Sequence, residues 1–297
     1  LNQKSFKLDI ENNKQNYKNR AQIFNDAGIH AVIYRISKSK HSSNFILKGG
    51  FLIYNHFIVE YDRNTKDVDY LTIKKLTKIE LHDFFEKIIS EKTYDPIEFD
   101  KSTLKIEELS KPHSYRIKFK GYLEKTELPI QIDIGFGDII TPEPQSIIIP
   151  RLPKNYPELK LLGYPIYTTI SEKIEGFIKD VLNNSRLKDL YDIYRLITNT
   201  HTIDIEFDLM AKALKETCSN RGTDIVGEIL ILDEAVLELN PKIGEGLLKF
   251  FEKPEKKDIN IQNLFVALRL FFIPIIEHIN SQNQKFSKWN PSNQSWE

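Results

Sequence analysis

The sequence predicts an α/β (α+β) fold, a mixed β-sheet with flanking helices followed by a C-terminal helical bundle. Three observations carry that expectation. Strand-like and helix-like patterns alternate as far as residue 200, as in a sheet covered by helices. Residues 128–136 form a period-two strand, with Ile130, Ile132 and Ile134 on one side and Gln131, Asp133 and Gly135 on the other. Beyond residue 200 the apolar spacing is almost wholly helical. This shift sets two expected domains, residues 1–200 and 201–297.

Residues 1–13 are polar and read as a cap or arm. Between 16 and 37, Ile23, Phe24, Ala27, Ala31, Val32 and Tyr34 recur at helical spacing around Gly28, which predicts one or two helices. A turn at 40–44 leads to the short strand Phe45-Ile46-Leu47-Lys48, ended by Gly49-Gly50, and then to a short helix at 51–57. A polar loop at 60–66 precedes a strand at 67–73. Residues 78–90 are an amphipathic helix, with Ile79, Leu81, Phe84, Phe85, Ile88 and Ile89 apolar. Antiparallel strands are expected at 97–99, 115–119 and 122–123. Frequent proline from Pro142 to Pro165 predicts a long irregular crossing with a strand at 147–149 inside it. Helices follow at 168–182, with Ser171 as N-cap, and at 187–198, 207–218, 224–239, 243–251 and 261–279. Pro274 should end or kink the last of these. The tail from Ser281 is polar and carries Trp289 and Trp296.

Composition narrows the function classes. In 297 residues, 40% hydrophobic and 28% charged content are those of a globular chain, and the formal net charge of +0 gives no global field for nucleic acid. The one cysteine, Cys218, excludes a disulfide framework and a cysteine zinc site, and fits a reducing, cytoplasmic setting. It lies on an apolar helix face, as inert core. No apolar run approaches a membrane span, and Leu1-Asn2-Gln3-Lys4 opens no signal-peptide segment. The seven histidines are scattered without metal-ligand spacing. Lys74, Lys75 and Lys78, and Lys118, Lys120 and Lys125 beside Tyr115 and Tyr122, form basic clusters that suit RNA backbone or, more simply, a solvated face.

The chemistry centres on acids. Asp67 and Asp69 stand one residue apart on a predicted strand, so they share a face while Val68 and Tyr70 take the other. Side-by-side carboxylates repel unless a cation lies between them or one is protonated. Oxygen-only ligands suit Mg²⁺ or Mn²⁺. A solvated strand end looks the same. Asp133 poses a similar choice: an acid reaching solvent, or one placed for a purpose, since burying an unpaired carboxylate is costly. Three acids on two neighbouring strands can hold two cations, which position a triphosphate, activate a hydroxyl and stabilise leaving pyrophosphate. Gly49-Gly50, between strand and helix, lets backbone N–H groups approach phosphate, though a glycine pair is also an ordinary turn. Arg63 and Thr65 lead into the acids in the run Arg63-x-Thr65-x-Asp67-x-Asp69 and are further nucleotide-binding candidates. Lys173, in Glu172-Lys173-x-Glu175, and Arg186 and Lys188, in Arg186-x-Lys188-Asp189-x-x-Asp192, are cations near helix starts that suit phosphate oxygens. Surface pairing along a helix explains them equally, with Asp189 and Asp192 as structural partners of Arg186 or Arg195.

Taken in order, Phe45-Ile46-Leu47-Lys48-Gly49-Gly50, Asp67-Val68-Asp69, Ile132-Asp133-Ile134, Ser171-Glu172-Lys173 and Arg186-Leu187-Lys188-Asp189-Leu190-Tyr191-Asp192 resemble the AbiEii-like nucleotidyltransferase family. Its members are toxin components of bacterial type IV toxin–antitoxin and abortive-infection systems. Ile33-Tyr34-Arg35-Ile36-Ser37 and Trp289-x-Pro291 resemble it too. The likeness covers residues 30–195 and is loose beyond 200. The glycines and Asp-x-Asp are common to polymerase-β-like nucleotidyltransferases; the Arg-x-Lys-Asp-x-x-Asp segment is the specific part.

The resemblance implies a nucleotidyltransferase-type sheet and Mg²⁺- or Mn²⁺-dependent transfer of an NMP from an NTP to a hydroxyl, on RNA such as a tRNA 3′ end or on protein. It implies Gly49 and Gly50 under the phosphates and Asp67 and Asp69 as metal ligands. Asp133 would complete the metal site and help deprotonate the acceptor, and Lys173 would contact the triphosphate. Arg186, Lys188 and Asp189 would belong to a fourth motif. Phe51 stands where many relatives carry a small or hydroxyl residue, which puts a side-chain phosphate contact in question but not the backbone one. A cognate antitoxin, a DNA-binding regulator, is also implied; that no membrane partner is expected follows from the apolar runs alone. Two other readings stay open: kinase-like phosphoryl transfer from the same site, and a non-catalytic nucleotide- or partner-binding module, against which the presence of all three acids argues.

Overall fold

A seven-stranded mixed sheet organises the first part of the computed structural model, which describes residues 2–12, 20–58, 65, 67–109, 114–149, 157–179, 186–199, 204–224, 245, 249, 260–281 and 285–297. The strands are β1 (Phe45–Lys48), β2 (Val68–Thr72), β3 (Glu98–Glu108), β4 (Ser114–Leu123), β5 (Thr126–Phe136), β6 (Gln145–Ile149) and β7 (Leu159–Gly163). Their order is β3-β4-β5-β2-β1-β7-β6, parallel for β2/β5 and β1/β7 and antiparallel elsewhere. The sheet belongs to a compact unit of Leu1–Asp138 and Pro144–Tyr164; a second unit comprises Ile139–Glu143 and Pro165–Glu297.

Alternation along β5 divides the sheet faces as the sequence predicts. Ile130, Ile132 and Ile134 are buried, together with their cross-strand neighbours Phe119, Ile117, Val68 and Tyr70. The helices of this unit are α1 (Gln3–Asn12), α2 (Arg20–Lys38), the single turn α3 (Gly49–Leu52), which runs into a wider turn at Ile53–Phe57, and α4 (Lys78–Ser90). Gly28 does not break α2. A Cβ there would lie 2.9 Å from Ile130 Cδ1, so its absence lets the helix settle on β5. α4 starts where its sequence says, at a capping box between Thr77 and Glu80.

Of the two readings for the N-terminal residues, a cap or an arm, the described residues 2–12 fit the cap. Phe6 and Ile10, one turn apart on α1, join a cluster with Ile23, Phe24, Ala27, Ala31, Ile97, Leu123 and Leu128. Each such burial is worth about 1.5–3 kcal/mol, enough to hold a short polar helix. The proline-rich crossing likewise contains a strand not anticipated, β7, whose hydrogen bonds come from β1 and β6. Arg35 is fully buried: its guanidinium donates to both carboxylate oxygens of Asp95 (2.7 and 3.2 Å) and to the Ala31 and Glu91 carbonyls.

The second unit contains α5 (Ile166–Lys179), α6 (Leu187–Thr198), α7 (Phe207–Arg221), α8 (Ile261–Ser281) and a small hairpin of β8 (Trp289–Asn290) and β9 (Ser295–Trp296). Because α5 and α6 pack with α7 and α8, the boundary between the units falls before the composition shift at residue 200. α5 begins at Ile166, directly after Pro165, so Ser171 is a buried interior residue and not an N-cap, and Lys173 is not in a first turn. Pro274 does not end its helix, which runs on to Ser281. The carbonyl it leaves without an N–H partner is that of Leu270, on the exposed side of α8. α8 is long and apolar enough to cross a membrane by length and composition, contrary to the expectation that no run approaches a span. Its Leu264, Phe265, Leu268, Phe271, Phe272 and Ile275 are nonetheless buried, as in the core helix of a bundle. The polar tail is core as well: Trp289 and Trp296 pack on Phe271, and their indole N–H groups donate to the Ile197 and Phe271 carbonyls. Of the predicted helices at 224–239 and 243–251, only residues 224, 245 and 249 are described.

Candidate active site

Pairing across the sheet brings two of the predicted acids into register. Asp69 on β2 is the direct cross-strand partner of Asp133 on β5, so the two carboxylates leave the same face side by side. That face is opposite the isoleucine stripe, and both side chains are half-buried. Asp67 lies just before β2, two residues back from Asp69, and is also half-buried. The row extends in both directions: Lys48 on β1 pairs with Asp69, Arg116 on β4 with Asp133, and Glu107 on β3 with Arg116. One face of five adjacent strands thus reads cation, acid, acid, cation, acid.

Gly49 closes against this row. Its φ is +72°, a left-handed conformation that favours glycine, and a Cβ on it would stand 2.0 Å from Asp69 Oδ2. The Gly49 backbone therefore sits directly on the Asp69 carboxylate. Lys48, just before it, donates to Asp138 Oδ2 (2.7 Å) and to the Tyr164 hydroxyl (3.2 Å), with its ammonium 4.8 Å from the Tyr164 ring centroid.

Arg116 makes the strongest contact in the row. Its Nε donates to Asp133 Oδ1 at 2.8 Å and its Nη2 to Oδ2 at 2.7 Å, a bidentate pair. The hydrogen bonds that Arg116 donates to Asp133 raise the guanidinium pKa above its ordinary value; the charges of Asp133, Asp67 and Glu107 act in the same direction, against partial desolvation. Sequence reasoning passed over Arg116, Lys48 and Asp138 as site residues. The alternation on β4 placed Arg116 on a strand, but only the β4/β5 register sets it opposite Asp133.

Three carboxylates on adjacent strands are the donor type that a hard divalent cation takes. As the side chains stand, no group of three or more His, Cys, Asp or Glu among the described residues is gathered to hold a metal ion. Arg116 bonds to both oxygens of Asp133. The donor chemistry fits; the conformation of the third acid is set by an internal cation.

The remaining candidates lie in the second unit. Lys173 Nζ donates to Asp189 Oδ1 (2.8 Å) and Asp192 Oδ2 (2.6 Å), both acids being buried, and Arg186 Nη1 donates to Asp189 Oδ2 (3.2 Å). Arg186 lies over Gly176, where a Cβ would be 3.3 Å from Nη1. Asp192 is bonded to Lys173, while Arg195 turns to the Tyr191 hydroxyl. Lys188 is exposed. Also on α5, Glu172 and Glu175 are bridged by Arg221 of α7, and Thr223, just beyond α7, donates to Glu175. Thr65 is buried; Arg63 lies outside the described residues.

A family profile described as nucleotidyl transferase AbiEii toxin, type IV TA system, matches residues 31–272. No curated protein matches. Among solved structures, the fold is similar to MenT4, a nucleotidyltransferase toxin from Mycobacterium tuberculosis, with a TM-score of 0.55 at 12% identity over 96% of this chain and 100% of that one. It is also similar to JHP933 from Helicobacter pylori, with a TM-score of 0.52 at 14% identity over 89% of this chain and 95% of that one.

Proposed function

Since the chain belongs to the AbiEii nucleotidyl transferase toxin family of type IV toxin–antitoxin systems, we propose that it moves a nucleoside monophosphate from an NTP to a hydroxyl on RNA, such as a tRNA 3′ end, or on protein. Membership makes the chain a nucleotidyltransferase toxin and implies an NTP substrate and a cognate antitoxin. The proposal adds the metal, the acceptor and the residues that act.

The observation that carries it is the pairing of Asp69 with Asp133, with Asp67 two residues back and the Gly49 backbone against the Asp69 carboxylate. Asp67, Asp69 and Asp133 would hold Mg²⁺ or Mn²⁺, which would neutralise phosphate charge and lower the pKa of an attacking hydroxyl. Gly49 keeps the wall over Asp69 free of any side chain, so backbone N–H groups of Gly49 and Gly50 can face phosphate oxygens. Asp133 would accept the proton of the acceptor hydroxyl. In the second unit Lys173, which also holds Asp189 and Asp192, Arg186 and exposed Lys188 would be the candidates for phosphate contact, with Asp189 part of the same motif. The NTP and RNA would place the reaction in the cytoplasm.

The test incubates the protein with each of the four NTPs, labelled with ³²P at the α or the γ position, Mg²⁺ and total bacterial RNA or protein extract, comparing wild type with Asp67→Ala. The expected result is label in a discrete RNA band that the variant does not produce. Label in protein instead would move the acceptor to protein. Transfer of γ-label alone would replace nucleotidyl by phosphoryl transfer. No transfer from any NTP, with Mg²⁺ or Mn²⁺ and either acceptor, would overturn the reading.

A further inference from the structure

Asp133, the third candidate metal ligand, is already neutralised by a cation that belongs to the chain. Arg116 is anchored on β4 opposite Asp133, and its planar fork meets both carboxylate oxygens. A guanidinium does not deprotonate in a protein, so Arg116 cannot vacate Asp133 by losing its charge. It can leave only by exchanging partners. A divalent cation at Asp133 would meet a positive group bonded to the same two oxygens.

We propose that Arg116 is the resident counter-ion of Asp133, a positioning residue that competes with the divalent cation for this carboxylate and sets metal affinity below what the three acids alone would give. The proposal rests on the reading of Asp67, Asp69 and Asp133 as metal ligands. Arg116 holds the Asp133 rotamer while the metal is absent. When a cation enters, at least one of its hydrogen bonds is given up, and a guanidinium is released on the face where a triphosphate would bring negative charge. Metal entry and anion arrival are thereby coupled through one side chain. A purely structural Arg116, tying β4 to β5, would change stability when replaced and leave metal affinity alone.

Mn²⁺ binding to the full chain, read as loss of the free-ion EPR signal, separates these cases without any turnover. Wild type is compared with Arg116→Gln, Arg116→Lys, Asp69→Asn and the double variant Arg116→Gln/Asp133→Asn, with folding checked by thermal melts. Arg116→Gln should bind Mn²⁺ about tenfold more tightly, the scale of one charge-assisted hydrogen bond. Arg116→Lys, which keeps the charge but loses the fork, should fall between. The double variant should lose the gain. Binding by Arg116→Gln no tighter than wild type, with Asp69→Asn still abolishing it, would overturn the counter-ion role and leave the metal reading standing. No Mn²⁺ binding sensitive to Asp69→Asn in any variant would overturn both. If Arg116→Gln does not fold, Arg116→Lys decides: tighter than wild type supports the role, and unchanged affinity refutes it.

Discussion

Replacing Gly49 with alanine tests the close contact between backbone and acid at the site. Two costs can be worked from the structure. The first is backbone strain: with φ at +72°, an L-residue other than glycine loses about 1–2 kcal/mol. At ~2–4 °C per kcal/mol for a chain region of this size, the melting temperature should fall by roughly 2–8 °C. The second is steric. The new Cβ would stand 2.0 Å from Asp69 Oδ2, 2.7 Å from Cγ and 2.8 Å from Cβ, whereas ordinary contact begins at 3.4 Å. The Asp69 carboxylate or the Gly49 backbone must shift by more than an ångström, and displacements of about 1 Å cost on the order of 10²-fold in rate. Gly222→Ala is the control. Its φ is +67°, and an added Cβ meets nothing within 4 Å, so it carries the strain without the collision. Thermal melts and labelled-NTP transfer on both variants separate the two costs. Gly49→Ala should lose activity about a hundredfold, and Gly222→Ala should lose stability only. Wild-type activity in Gly49→Ala would refute the argument that Gly49 is required by the Asp69 carboxylate.

Three further outcomes follow from buried groups. Arg35→Ala leaves Asp95 buried and uncompensated (side-chain exposures of 2% and 0% in the pair), so urea unfolding should show a loss of about 3–5 kcal/mol; a negligible loss would remove this pair from the account of stability. Burial pushes the Asp26 carboxyl up from 3.8 to about 7. The folded chain therefore keeps this proton where the unfolded chain has released it, and the stabilising contribution present below 3.8 is lost as pH rises through about 7. Asp26→Asn should abolish that decline and gain a few kcal/mol over wild type near pH 8 and little near pH 4, read from urea midpoints; equal gains at both would refute the assignment. Cys218 is buried, and burial pushes its thiol up to about 12. It should resist a disulfide reagent in the native state at neutral pH and react fully in denaturant.

Where local signals suffice, the chain could be read directly. Thr77 and Glu80 start α4 by a capping box that lies within four consecutive residues, and its apolar period completes the helix to Ser90. The alternation of Ile130, Ile132 and Ile134 put Asp133 on the polar face without reference to any other strand. The Asp67-Val68-Asp69 spacing did the same for its own strand, and the order of the motifs led to the family. Elsewhere local rules were outweighed. α1 has only two apolar residues facing the core, but Phe6 and Ile10 find seven distant partners in one cluster. Ser171 is a good cap by type, yet α5 had already begun at Ile166 under tertiary packing. The polar tail hides two tryptophans whose indole N–H groups donate to carbonyls of α6 and α8, far away in sequence.

The sequence by itself determined which residue types are available and which face of each strand they occupy, because period and capping act over a few residues. Only the tertiary structure decided that Asp69 stands beside Asp133, that Gly49 rests on Asp69 and that Arg116 grips Asp133. Each of these depends on strand order and register. Those are chosen by the joint burial of side chains far apart in the chain, which no local pattern records.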